Sequence, residues 1–230
     1  MNREKRTRTK LLRILISILG VIFLTFIVPS TQSILAAEDE VAKITIFSDG
    51  SGPAYGTHAF IYIVNISDDD IKIGDYTLKP NKGVTIGTFG NKDDGKGIYY
   101  NLEAYFIQEY DSYENRVSLT TKITAKDIET INSKLDSCNK WTYTKNCSWF
   151  ATSIWNSVSP KKKHVSAGLV STPATLSKNI KKIKGYVEGK KVKKVSEDNV
   201  YRYKNDGKKT KASSSSKKGS PSGLSNSSSS

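Results

Sequence analysis

Hydrophobic and polar residues alternate along much of the first half of the chain. Residues 41–47 read Val-Ala-Lys-Ile-Thr-Ile-Phe, and residues 57–66 are rich in β-branched and aromatic side chains. Both patterns predict β-strands. Further strands are predicted at residues 71–78, 84–89 and 98–107, because turn-forming segments with Gly, Pro and Asn separate them. We therefore expect the first half to be mostly antiparallel sheet.

The second half has helical periodicity. Thr124 followed by Asp127 is typical of a helix N-cap with an acid three residues later. A second helix is predicted to begin near Asn146, because six apolar residues follow at helical spacing. These six are Cys147, Phe150, Ala151, Ile154, Trp155 and Val158.

A third helix is predicted from Thr172, with Pro173 at its first helical position and Gly185 at its end. Residues 186–205 are predicted to add a short strand pair. The predicted fold class is therefore α+β, with an antiparallel sheet packed against two or three helices.

The first 37 residues predict an export signal. Six basic residues in the first 13 precede an apolar run of 15 residues at 14–28. Leu35-Ala36-Ala37 then offers a peptidase site, although Leu35 stands where a small residue is preferred. An uncleaved anchor is the alternative, but the run is shorter than the roughly 20 residues of a spanning helix. Both interpretations predict a secreted protein, extracellular or associated with the cell surface.

Charge is unevenly distributed over the remaining chain. Residues 38–160 have a net charge of −5 and residues 161–230 one of +14. Residues 207–230 are mostly Lys, Ser and Gly, and their few apolar side chains predict disorder. The predicted organisation is a signal peptide at 1–37, one domain at 38–206 and this tail.

Outside the cell, a basic tail favours anionic cell-wall polymers or lipid headgroups as partners, and we predict no nucleic-acid partner. A tail that only aids solubility fits the composition equally well. The sequence has two histidines, which disfavours a classical zinc hydrolase, and no metal or other cofactor is predicted.

Two residues are the best candidates for catalysis. Cys147 begins the second predicted helix, where unpaired backbone N–H groups and the helix dipole lower the pKa of a thiol. His58 lies where a glycine-rich loop enters a strand, and an imidazole can serve as the partner base. The other histidine, His164, follows three lysines in a predicted loop and is the weaker candidate.

A disulfide is the competing interpretation of Cys147. Cys138 and Cys147 are the only cysteines and lie nine residues apart. Two cysteines in an exported chain commonly pair. The protein would then be a non-enzymatic surface or binding protein. Composition alone leaves both interpretations open.

Two motifs resemble those of circularly permuted papain-like cysteine hydrolases, a group that includes NlpC-type peptidases and relatives of lecithin retinol acyltransferase. The motifs are Gly-Thr-His-Ala-Phe-Ile-Tyr-Ile at 56–63 and Asn-Cys-Ser-Trp-Phe-Ala at 146–151. The resemblance covers the layout of residues 41–185, with the histidine strand before the cysteine helix. It implies a permuted papain-like fold, with Cys147 as nucleophile and His58 as general base and then acid.

In such folds a third polar side chain orients the histidine. Asp75 or Thr77 could come from the strand after the histidine strand, and Asn101 or Glu103 from the strand predicted at 98–107. We favour Asn101 and Glu103, which would share one face of a strand. A polar stripe on a solvated strand face would explain either one without catalysis.

Together these features predict an exported thiol hydrolase or acyltransferase that forms a thioester at Cys147. Its substrate would be a peptide or acyl compound with an amide or ester bond. A cell-wall peptide is the leading choice, on the basis of location, the basic tail and the resemblance. Lipid acyl transfer would require an apolar membrane-facing entrance near Cys147, and the sequence after residue 37 shows no dedicated anchor for it.

Overall fold

A computed structural model of the chain describes residues 38–52, 57–204 and 208–223. All of them belong to the unit Glu38–Ser230. The predicted signal peptide at 1–37 lies outside the described residues. Within them, no helix is long and apolar enough to cross a membrane.

The described residues form a mixed α+β structure with ten strands and five α-helices. In chain order these are β1 (Glu40–Asp49), β2 (His58–Asn65), β3 (Ile71–Ile73), β4 (Tyr76–Leu78), β5 (Gly83–Phe89), β6 (Gly97–Tyr100), α1 (Leu102–Tyr110), β7 (Val117–Thr124), α2 (Ala125–Cys138), α3 (Cys147–Val158), α4 (Pro173–Ile180), β8 (Val187–Glu188), β9 (Tyr201–Tyr203), β10 (Lys209–Lys211) and α5 (Ser214–Lys218). Eight strands form one antiparallel sheet in the order β10-β9-β6-β5-β2-β1-β7-β8, and β3 pairs with β4 in a separate hairpin.

The central strands of the sheet are buried on both faces. Ile44, Ile46 and Ile61 belong to a large aliphatic core that also contains the apolar stripes of α2, α3 and α4. Their sequence neighbours Phe47 and Phe60 point to the opposite face, into an aromatic cluster that includes residues of α1. Because successive side chains of a strand alternate between faces, both faces of β1 and β2 require apolar residues.

The three predicted helices are present, and their N-caps are those expected from the sequence. Thr124 and Asp127 form a capping box at the start of α2. The side chain of Asn146 caps α3, and that of Thr172 caps α4. However, α4 ends at Ile180, five residues before the predicted end.

The strand predicted at 98–107 is wrong in its second half. The strand ends at Tyr100, and α1 begins two residues later. Asn101 lies between them with a φ of 62°, a left-handed conformation that Asn tolerates better than most residues. Its side chain accepts a hydrogen bond from Thr85 N–H and donates one to the Asn199 carbonyl. These contacts fix the reversal that converts the strand into a helix.

Other strands also differ from the prediction. The single strand predicted at 71–78 is the β3–β4 hairpin, which turns at Gly74 with a φ of 60°. The strands in 186–205 do not pair with each other, since β8 joins β7 and β9 joins β6 and β10. The edge-side strand β7 was not predicted at all; its sequence, Val-Ser-Leu-Thr-Thr-Lys-Ile-Thr, alternates only weakly.

The tail predicted to be disordered at 207–230 has defined structure over 208–223. Strand β10 pairs with β9 at the sheet edge, and α5 follows it. The carboxylate of Asp94 accepts a hydrogen bond from Ser213 N–H at 2.7 Å, and Asp94 N–H donates to Ser216 Oγ at 3.1 Å. These contacts are polar, so a prediction based on scarce apolar residues misses them. Residues 207 and 224–230 lie outside the described residues.

Candidate active site

Cys147 is the first residue of α3 and is fully buried. The side chain of Asn146 fixes this helix start, because its oxygen accepts a hydrogen bond from Ser148 N–H at 3.0 Å and its amide donates to the Ser171 carbonyl at 2.6 Å. Within the described ranges, no acceptor is found for the N–H of Cys147. The thiol and a free backbone donor therefore lie together at the positive end of a helix.

His58 begins β2 opposite Asp49, at the end of the central strand pair. Its side chain is fully buried. The imidazole stacks on Phe89, with ring centroids 4.4 Å apart and an interplanar angle of 29°. This packing fixes the plane of the ring.

His58 and Cys147 border the same small space. A methyl group at Gly223 would lie 2.0 Å from His58 Nδ1 and 2.8 Å from Cys147 Sγ. The two atoms are therefore within about 5 Å of each other. Nδ1 is the ring nitrogen that faces the thiol.

The electrostatic environment favours a charged imidazole. Burial lowers the pKa of His58, but the negative charge and hydrogen bonding of Cys147, followed by the hydrogen bond and charge of Glu103, raise it more. The net result is a pKa of about 9 instead of the usual 6.5. A charged imidazolium beside Cys147 is therefore favoured at neutral pH.

Glu103 is the third member of the group. It lies in the first turn of α1, and its Oε1 is 3.1 Å from His58 Nε2, with both side chains fully buried. This hydrogen bond requires a proton on Nε2, which leaves Nδ1 to exchange a proton with Cys147. Gly87 provides the room, since a methyl group there would lie 1.9 Å from the same carboxylate oxygen.

Asn101, predicted together with Glu103, has a different role. Its side chain bonds Thr85, Tyr76 and Asn199, and none of its hydrogen bonds within the described residues involves His58. The two residues were expected to share a strand face, but one precedes α1 and the other lies inside it.

The other two candidates for the third position, Asp75 and Thr77, belong to the separate β3–β4 hairpin. Asp75 lies beside Tyr100, and Thr77 is exposed. Of the four candidates, Glu103 is the one whose hydrogen bond to His58 the structure contains.

Two residues that the sequence patterns do not indicate lie close to His58 or Glu103. Tyr113 is buried with a φ of 60°, and its ring centroid lies 5.5 Å from that of His58. Burial, then the charges of Glu103 and Cys147, raise the pKa of Tyr113 well above 10, so it remains a hydroxyl donor.

Lys92 is the second of these residues. It is only 6% exposed, and its ammonium lies 4.4 Å from the ring centroid of Phe106 and 5.0 Å from that of Phe89. Burial lowers its pKa to about 8, against a raising influence of the charges of Glu103 and Asp93. Its position in the Asn91-Lys92-Asp93-Asp94-Gly95 turn is typical of a solvated residue, so no local pattern indicates this burial.

The remaining cysteine and histidine lie apart from this group. Cys138 is the last residue of α2, and burial raises its pKa. Both cysteines are free, so the structure does not contain the disulfide considered as the alternative. His164 is exposed, as expected, and its Nε2 lies 3.1 Å from the Ser159 carbonyl.

Comparison of the chain with protein-family models, with curated proteins and with solved structures finds no match. The described residues contain no group of three or more His, Cys, Asp or Glu side chains placed to hold a metal ion. They contain a thiol, an imidazole and a carboxylate in spatial series, with the imidazole between the other two groups. This arrangement is suited to nucleophilic attack on a carbonyl carbon.

Proposed function

We propose that this protein is an exported thiol hydrolase or acyltransferase of the permuted papain-like kind. The observation that carries this proposal is the buried series Cys147, His58 and Glu103, in which the thiol begins a helix and the carboxylate holds the far nitrogen of the imidazole. The order of elements supports it, because the histidine strand precedes the cysteine helix. The two free cysteines argue against the alternative of a disulfide-bonded surface protein.

The reaction would proceed in two steps. The Cys147 thiolate forms a bond to the carbonyl carbon of an amide or ester, and the carbonyl electrons move to its oxygen. The N–H of Cys147 can donate to that oxyanion, because no acceptor occupies it within the described residues. When the intermediate collapses, the bond to the amine or alcohol breaks, and His58 gives that leaving group its proton.

Water then completes the hydrolysis. It attacks the thioester while His58 takes one of its protons, and the thiolate leaves with its electron pair. An amine or alcohol in place of water would give acyl transfer. Glu103 keeps the imidazole in the required tautomer throughout, through its 3.1 Å contact to Nε2.

We propose a cell-wall peptide as the substrate. Residues 161–230 carry a net charge of +14, which favours retention near anionic wall polymers. Part of this basic region lies close to the site, since residues 208–223 pack on the domain that holds the thiol. This arrangement would keep the thiol close to its substrate.

Trapping the acyl-enzyme tests the proposal. Protein beginning at residue 38 is incubated with peptides released from cell walls and with an activated amino-acid ester, then examined by intact-mass and peptide-mapping spectrometry. We expect acylation at Cys147, release of new amino groups from the peptides, and loss of both in Cys147→Ala and His58→Ala.

Cys138→Ala is the matched control and should behave as the unmodified protein, because Cys138 lies outside the group around His58. Peptide hydrolysis that persists in Cys147→Ala, or a complete lack of acylation of Cys147 in folded protein, would contradict the proposal.

A further inference from the structure

The tail covers the thiol and the imidazole with four residues, Ser220 to Gly223. Gly223 N–H donates a hydrogen bond to the Thr57 carbonyl at 3.2 Å, and Ser222 Oγ donates to the same carbonyl at 3.3 Å. Thr57 immediately precedes His58. The segment therefore joins the strand start that carries the histidine, through a main-chain hydrogen bond.

Gly223 fits this position because it has no side chain. A methyl group on it would overlap His58 Nδ1 at 2.0 Å and crowd Cys147 Sγ at 2.8 Å. Separations below about 3 Å do not occur for a real Cβ, and both neighbours are buried and cannot move away easily. The site therefore accepts glycine beside the thiol and excludes larger residues.

Two buried donors hold the preceding peptide carbonyls. Lys92 Nζ donates to the Ser220 carbonyl at 2.5 Å, and Tyr113 Oη donates to the Pro221 carbonyl at 2.5 Å. Both donors belong to the domain and are less than a tenth exposed. All of these contacts except that of the Ser222 hydroxyl are to main-chain atoms of the segment, so the site recognises a peptide backbone.

We propose that Ser220 to Gly223 occupy the substrate site, which binds peptide chains with glycine beside Cys147. The tail is thereby an intramolecular competitor of substrate. This inference rests on the proposed function in one respect, namely that the space beside Cys147 is where substrate binds. It deepens that function by naming the substrate class, a glycine-containing peptide bound through its carbonyls by Lys92 and Tyr113.

The attachment of the tail is suited to release. Asp94 contacts Ser213 and Ser216, and Lys217 Nζ lies 2.7 Å from Glu197, whose side chain is more than half exposed. Such polar and partly exposed contacts are individually weak. Substrate at sufficient concentration should therefore displace the segment.

Two glycine substitutions in the protein from residue 38 to 230 test this proposal. Gly223→Ala should expel the segment, whereas Gly219→Ala is the matched control, because its added methyl group would meet only ordinary contacts at 3.4 Å and beyond. The measurement is the rate of alkylation of Cys147 by iodoacetamide, followed by mass spectrometry. We expect Gly223→Ala to raise that rate about tenfold or more and Gly219→Ala to leave it unchanged.

Binding in trans gives a second measurement that does not depend on the tail variant alone. The probe is the synthetic amide Gly-Ser-Pro-Ser-Gly, corresponding to residues 219–223. It should slow alkylation of Gly223→Ala protein, and the same peptide ending in alanine should not. Tyr113→Phe, which removes only a hydroxyl, should raise the alkylation rate of the full-length protein and weaken protection by the peptide.

Equal alkylation rates in Gly223→Ala, Gly219→Ala and the unsubstituted protein, with no protection by either peptide, would overturn the proposal. These readouts measure access to the thiol and not turnover. Suppose that Gly223→Ala exposes Cys147 and the peptide protects it, while no variant forms an acyl-enzyme. The proposal that residues 220–223 occupy a peptide-binding site would then be supported, and the proposed hydrolase function would fail.

Discussion

Cys138 and Cys147 are the two cysteines of the chain and are almost equally buried, but they lie at opposite ends of their helices and face different groups. Cys138 ends helix α2, and burial raises its pKa. Cys147 begins helix α3 and faces an imidazole whose pKa is raised to about 9. Burial in apolar surroundings keeps a cysteine unreactive, whereas a helix start and a neighbouring histidine are the surroundings in which reactive cysteines are found. The difference lies in which end of a helix the residue occupies and in what faces it.

The largest expected effect separates the two thiols directly. Cys147→Ala should abolish hydrolysis, a loss of at least about 1000-fold, because the covalent intermediate cannot form. Cys138→Ala should keep the activity and lose only a few tenths to about 1 kcal/mol of unfolding free energy, since it removes one buried sulfur. Steady-state rates and urea unfolding measure both. Comparable rate losses in the two variants would remove the distinction.

Removing the carboxylate charge of Glu103, which contacts His58 Nε2, should have a smaller effect. Glu103→Gln keeps a hydrogen-bond acceptor near His58 Nε2 but loses the carboxylate charge that raises the pKa of His58. We expect kcat/KM to fall about 10- to 100-fold. Activity that requires the imidazolium is lost as pH rises through about 9. This alkaline limb of the pH–activity profile should move to lower pH in the variant. An unchanged limb would mean that Glu103 does not act through His58.

Stability should also depend on pH in a way that distinguishes the cysteines. The pKa of His58 in the folded protein lies above the usual 6.5, so its contribution is fully present below about pH 6.5 and is lost as pH rises through about 9. In Cys147→Ser the influence of Cys147 that raises the pKa of His58 is absent, so this loss should be smaller. Cys138→Ser should keep the original slope. Urea unfolding at several pH values between 6 and 10 provides the measurement, and parallel curves for all three proteins would argue against coupling between Cys147 and His58.

The smallest effect concerns the caps of the two helices. Asn146→Ala and Thr124→Ala should each lower the unfolding free energy by about 1 kcal/mol, since each removes an N-cap. Only Asn146→Ala should also lower the rate of Cys147 alkylation, because Asn146 fixes the helix start that carries the thiol. Thermal melts and alkylation kinetics together test this. Equal alkylation rates in both variants would show that the Asn146 cap does not affect the reactivity of Cys147.

Part of the site could be predicted from the sequence because it depends on local patterns. Six apolar residues at helical spacing placed Cys147 at a helix start, and alternation placed His58 at a strand start. Glu103 was among the candidates, but on a strand that does not exist there. The left-handed conformation of Asn101, which converts strand to helix, depends on contacts with residues 16 and 98 positions away.

Other parts depend on contacts that no local pattern records. Lys92 and Tyr113 join the site only because distant segments fold over them. Composition predicted a disordered tail, since Lys, Ser and Gly cannot form an apolar core. The tail is held instead by hydrogen bonds to individual carbonyls, hydroxyls and carboxylates, such as those between Asp94 and Ser213. Such pairing depends on position in space and not on residue type.

The lack of a side chain at Gly87 couples two positions of the chain. The Glu103 carboxylate occupies the space that a side chain at position 87 of β5 would fill. A Cβ built on Gly87 would lie only 1.9 Å from Glu103 Oε1. Any residue larger than glycine at position 87 therefore requires a shorter one at position 103. We expect variation in relatives of this chain to be paired at these positions, with glycine retained wherever glutamate orients the histidine. The same Cβ would lie 3.0 Å from His58 Nε2. Aspartate at 103 should therefore relieve the larger of the two clashes of Gly87→Ala but not the one with the histidine.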